Sequence, residues 1–67
     1  MKQKTLKKLV ELYPNKNFRV GDVSIRWNVD SLRTEDLDKL SHIEGMYTDL
    51  LVKRSGTGIV VILNFEE

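Results

Sequence analysis

The chain has 67 residues, of which eleven are Lys or Arg, ten are Asp or Glu and none is cysteine. That length allows one domain, spanning residues 1–67, with a small core and a marginal stability that self-association commonly supplements. Without cysteine there are no disulfide staples or thiolate metal sites, and no run approaches the ~20 apolar residues of a membrane span. No apolar core of a secretory signal follows the basic Met1-Lys2-Gln3-Lys4. The expectation is a soluble, cytoplasmic protein.

Leu6, Leu9, Val10 and Tyr13 recur at i, i+3, i+4 and i+7, the apolar stripe of an amphipathic helix over roughly residues 3–13. Pro14 ends it, because proline has no N–H to donate and restricts the residue before it. Phe18-Arg19-Val20, Gly21-Asp22 and the run Val23–Val29 then predict a hairpin whose two-residue turn is Gly21-Asp22, the glycine supplying a positive φ. The alternative is one bent strand from Phe18 to Val29. In Val23-Ser24-Ile25-Arg26-Trp27-Asn28-Val29 apolar and polar residues alternate throughout, so that strand has a wet face.

Thr34 followed by Glu35 and Asp36 reads as an N-cap with acids at the positive end of the helix dipole. The second helix runs about 35–44, with Leu37, Leu40 and Ile43 inward and Gly45 as its C-terminal cap. A strand over about Thr48–Arg54 follows, and Ser55-Gly56-Thr57-Gly58 turns it into the last strand.

That last run, Ile59-Val60-Val61-Ile62-Leu63-Asn64-Phe65, is apolar on both faces. Ile59, Val61, Leu63 and Phe65 share one, Val60 and Ile62 the other. The order α-β-β-α-β-β predicts a two-layer α+β sandwich: a four-stranded, mainly antiparallel sheet with two helices packed on one face. Leu6, Lys8, Leu9 and Leu12 superpose on Leu37, Lys39, Leu40 and Ile43 at an offset of 31, so a degenerate αββ repeat is one reading and chance similarity another. A competing reading joins Val23–Val29, the second helix and the last hairpin as β-α-β-β behind an added helix.

Charge is uneven although the net is only +1. Residues 1–26 carry seven basic side chains against Glu11 and Asp22; residues 27–52 carry six acids against Arg33 and Lys39. Such polarity can steer a charged partner or align two copies head to tail, or it reflects two solvated helix faces that differ in sign.

Chemistry is sparse. His42 is the only histidine, Asp36 and Asp38 do not face each other on a helix, and Glu35 with Lys39 is an ordinary i, i+4 pair. Ser55-Gly56-Thr57-Gly58 lacks the lysine and following helix of a phosphate loop. No serine sits in a nucleophile elbow. The expectation is no enzyme, no cofactor, no metal and no small-molecule substrate.

The leading expectation is a protein-interaction module of regulator or inhibitor type, binding a partner protein or itself as a homodimer. Its contact would be the uncovered apolar face, with Val60 and Ile62 joined by Leu50 and Val52, or by Leu51 in the other register, and a polar rim of Arg26 and Asn28. The alternative is nucleic-acid binding through Lys4, Lys7 and Lys8 of the first helix with Arg26, Lys53 and Arg54, and Trp27 or Tyr47 available to stack. An isoelectric point near 8, the acidic middle and the apolar company of Trp27 weigh against it.

Overall fold

A computed structural model describes residues 2–65. Its elements are α1 (Lys2–Leu12), β1 (Arg19–Val20), β2 (Ser24–Val29), α2 (Thr34–Ser41), β3 (Asp49–Ser55) and β4 (Gly58–Asn64). The strands form one antiparallel sheet in the order β1-β2-β4-β3. Leu9, next to α1's middle, and Leu40 of α2 enter a single core with Ile25, Trp27 and Val29 of β2 and Val61 and Leu63 of β4. Both helices therefore lie on one face, as the two-layer α+β expectation required.

The inner line of α1 is Thr5 and Leu9, continued by Tyr13 just past its end, and all three are buried, whereas Val10 is 48% exposed. The helix is thus rotated from the stripe that its apolar residues alone suggest. Thr5 is accommodated because its hydroxyl donates to the Met46 carbonyl, so a polar atom enters the core already hydrogen-bonded. The Tyr13 N–H still bonds the Leu9 carbonyl at 2.8 Å, which completes the final turn before Pro14. Lys2 ties α1 to the first hairpin, its ammonium donating to the carbonyls of Gly21 at 2.6 Å and Asp22 at 2.9 Å.

The cap of α2 is Arg33 rather than Thr34. The Asp36 carboxylate reaches back to accept from the Arg33 N–H at 3.0 Å, which satisfies one of the donors a helix start leaves open. At the other end α2 stops at Ser41, not 44. Tighter turns continue it, with His42, Ile43 and Glu44 each donating three residues back. Gly45 then takes φ 91°, the left-handed conformation that glycine adopts without penalty. Of the expected inward residues, Leu40 and Ile43 are buried and Leu37 is half exposed.

Both hairpins form, the first with its turn shifted by one residue and the second with its turn where expected. In the first, Gly21 N–H donates to the Ser24 carbonyl at 2.8 Å, so the two turn residues are Asp22 and Val23, and the φ of Gly21 is not positive. The missing side chain matters for space instead, since a Cβ at Gly21 would lie 2.8 Å from the Ser24 hydroxyl, which would have to shift. In the second, Ser55 pairs with Gly58, and Gly56 supplies a φ of 61° at the first turn position.

The registers relate the two hairpins. Arg19 corresponds to Lys53, Ile25 to Ile59, Trp27 to Val61 and Val29 to Leu63, an offset of 34 residues. Exchanging β1 with β3 and β2 with β4 leaves the strand order unchanged. The sheet thus has the approximate symmetry of two hairpins. With their helices the two units are unequal, however: the helices align at an offset of 31, so the second unit has three more residues between helix and hairpin. The competing β-α-β-β reading describes the same sheet, because β2 and β3 run parallel with β4 between them.

Candidate functional site

Residues paired across an antiparallel ladder put their side chains on the same face. One row across the sheet is therefore Arg19, Arg26, Ile62 and Leu51, and the next is Asn28, Val60 and Lys53. Ser24, Asn64 and Asp49 form a third. None of these belongs to the core, and the helices cover the opposite face. The open face is thus divided, with Arg19, Arg26 and Asn28 on the β1–β2 side and Val60, Ile62 and Leu51 on the β4–β3 side. Lys53 flanks the apolar half, and Asp49 is the single acid of the three rows. Asn17, Arg19, Arg26, Asn28 and Val60 line a concavity of about 170 Å³ at the boundary between the halves.

Val60 and Ile62 are half-buried among their neighbours, and Leu51 is 42% exposed. The register corrects part of the expected contact surface. Leu50 pairs with Leu63 and Val52 with Val61, which places both on the helix side of the sheet, away from Val60 and Ile62. Leu51 takes their place beside Ile62. Arg26 and Asn28 do stand next to Ile62 and Val60, as the expected rim.

The six basic residues considered for nucleic acid fall on three surfaces. Lys4, Lys7 and Lys8 line a concavity of about 260 Å³ on the outside of α1 with Glu11 and Met46. Lys8 lies 3.7 Å from Glu11 in an exposed pair. Arg26 and Lys53 are on the open face, on the far side of the sheet from α1. Arg54 pairs with Ile59 and so stands on the helix side of the edge strand. No single surface gathers them. Trp27 is 3% exposed, with Phe18 edge-on at 5.3 Å and Tyr13 tilted at 6.1 Å between ring centroids, so it is a core residue with no face to offer a base.

Sequence reasoning passed over Arg19. Its place follows only once the turn is known to be Asp22-Val23, because that register sets it directly opposite Arg26. Two guanidinium groups side by side on a sheet repel each other unless an anion lies between or near them.

Burial, reinforced by the carboxylates of Asp36 and then Glu35, pushes the Tyr13 phenol up to about 12, so it remains a hydrogen-bond donor. It reaches toward the Asp36 carbonyl at 3.5 Å, with the Lys39 ammonium 5.0 Å from its ring centre. Among the described residues no group of three His, Asp or Glu side chains is placed to hold a metal ion. No described helix is long and apolar enough to cross a membrane.

Fold and face together define a small α+β domain with one helix-covered and one open sheet surface. No protein-family model, curated protein or solved structure matches the chain.

Proposed function

We propose that this chain is a non-enzymatic protein-interaction module whose open sheet face docks an acidic partner protein. The observation that carries this reading is the composition of that face. Val60, Ile62 and Leu51 form an apolar half, while Arg19, Arg26 and Lys53 border it, and among the described residues of these rows Asp49 is the one acid. Contiguous apolar surface beside aligned cations suits a partner that offers leucine- or phenylalanine-like side chains next to Asp or Glu. Two copies meeting by this face would set three cations against three cations, so charge favours a different protein over a second copy.

The test is an NMR titration of isotope-labelled protein with acidic peptides that carry apolar anchors, with basic peptides of equal length as controls. The expected result is saturable shifts centred on Arg26, Asn28, Val60 and Ile62, lost in Val60→Lys while the fold is kept. Shifts confined to α1, or binding indifferent to Val60→Lys, would refute the reading.

A second reading rests on the Lys4, Lys7 and Lys8 group beside Met46, which suits a phosphate backbone. It predicts affinity for nucleic acid that falls steeply with salt and is lost in the double variant Lys7→Glu, Lys8→Glu. Binding that is flat between low and high salt would remove it.

A further inference from the structure

The sheet has two margins of unequal length. On one side β1 contributes two residues; on the other β3 presents seven, Asp49 to Ser55, paired only with β4 and without a break in register. Edge strands of that length template further pairing unless proline, a bulge or a covering element blunts them. β3 contains no proline.

Its side chains carry the second observation. Leu51 is 42% exposed and Val52 46%, and they point to opposite faces of the sheet. A partner seated on the open face covers the first and leaves the second in water. A strand laid alongside β3 packs against both.

We propose that this strand is β3 of a second copy of the chain, paired antiparallel about Leu51, so that the two four-stranded sheets become one of eight strands. The two-residue turn at Gly56-Thr57 makes Ser55 and Gly58 a hydrogen-bonded pair, and alternation then directs the N–H and C=O groups of Leu50, Val52 and Arg54 outward. Centring on Leu51 sets Leu51 against Leu51 of the second copy and Leu50 against its Val52. It also sets Asp49 against Lys53 of the second copy, twice by symmetry. Centring on Val52 instead would put Leu51 against Lys53 and Leu50 against Arg54. Lys53 therefore disfavours that register and becomes a partner in this one. Within one chain Asp49 stands beside Asn64 and Lys53 beside Val60, so neither has a charge partner across the ladder. This pairing engages Leu51, Lys53 and Asp49 at the margin of the open face but leaves Arg19, Arg26, Val60 and Ile62 free, and it does not depend on the function proposed above.

Sedimentation velocity on the full chain tests it, from about 1 μM to about 1 mM, for the native sequence, Asp49→Lys, Lys53→Asp and the double variant. The native chain is expected to dimerise, each single variant to weaken the dimer about ten-fold by setting like charges opposite, and the double variant to recover most of that loss. Amide exchange at Leu50 and Val52 is expected to slow as the native protein is concentrated. A chain that stays monomeric across the range, a dimer unmoved by both single variants, or a double variant no tighter than the singles overturns the proposal. Exchange at Val52 that is independent of concentration does so without reliance on any variant.

Discussion

Trp27 and Val61 face each other directly across the two central strands. They are also equivalent positions of the two hairpins, so the approximate twofold axis of the sheet passes between them. One unit contributes the large ring and the other a small β-branched side chain, and the two together fill the space beneath the helices. Both are buried to within 3%.

Trp27→Ala removes the ring that Tyr13 and Phe18 pack against, and its expected cost is about 3–5 kcal/mol. Small domains have little more than that to lose. Urea titration followed by circular dichroism is expected to show the variant largely unfolded at 25 °C, with Trp27→Phe retaining a cooperative transition. A midpoint unchanged in Trp27→Ala would contradict the central place given to this ring.

Adjacent residues on β4 give a sharp test of which face is covered. Val60→Lys places an ammonium on the open face and is expected to cost no more than about 1 kcal/mol. Val61→Lys forces the same group among Ile25, Leu9 and Leu63 and is expected to abolish folding, because an unpaired buried charge costs several kcal/mol. Equal midpoints for the two variants would mean that the open face is not open.

Gly56 holds φ 61°, where a Cβ is strained, so Gly56→Ala is expected to destabilise by about 1–2 kcal/mol although nothing lies within 4 Å of the added methyl. Gly21→Ala acts by a different route, through contact with the Ser24 hydroxyl. Its cost is expected to shrink when Ser24→Ala is added, whereas that second change should leave the cost at Gly56 untouched. Thermal unfolding of the two double-mutant cycles separates strain from crowding.

Tyr13 makes the fold sensitive to alkali. Its folded phenol, raised by burial and then by Asp36 and Glu35, ionises near 12, against about 10 for an unfolded tyrosine. Between those values the folded state retains a proton that the unfolded state has released. The contribution is therefore fully present below pH 10 and is lost as pH rises toward 12. Denaturation midpoints across that window are expected to fall more steeply for the native chain than for Tyr13→Phe. Parallel profiles would detach the alkaline loss from Tyr13.

Much of the fold was legible because period-two and period-3.6 patterns leave little choice: the wet face of β2 and the buried Leu40 and Ile43 follow from spacing alone. Register was harder to read. Asp49-Leu50-Leu51-Val52 has three apolar residues in succession, so alternation there cannot say which of them looks toward Ile62. The turn decides, and a two-residue turn at Gly56-Thr57 puts Leu51 on the open face, with Leu50 and Val52 on the opposite side, where Val52 is still 46% exposed. The same parity divides Lys53 from Arg54, neighbours in sequence that lie on opposite sides of the sheet. Thr5 was invisible for another reason: a hydroxyl on a helix carries no apolar signal until its acceptor, the Met46 carbonyl, is known.

The inequality of the two margins also bears on stoichiometry. A sheet that offered a usable strand on each side would add subunits head to tail without limit, the geometry of a fibre. Here β1 ends after Val20, while β3 continues for seven residues. Strand addition has a single point of attachment, and two copies joined there occupy both long margins at once. In the proposed dimer growth would therefore close at a pair, the brevity of β1 leaving no second long margin to extend.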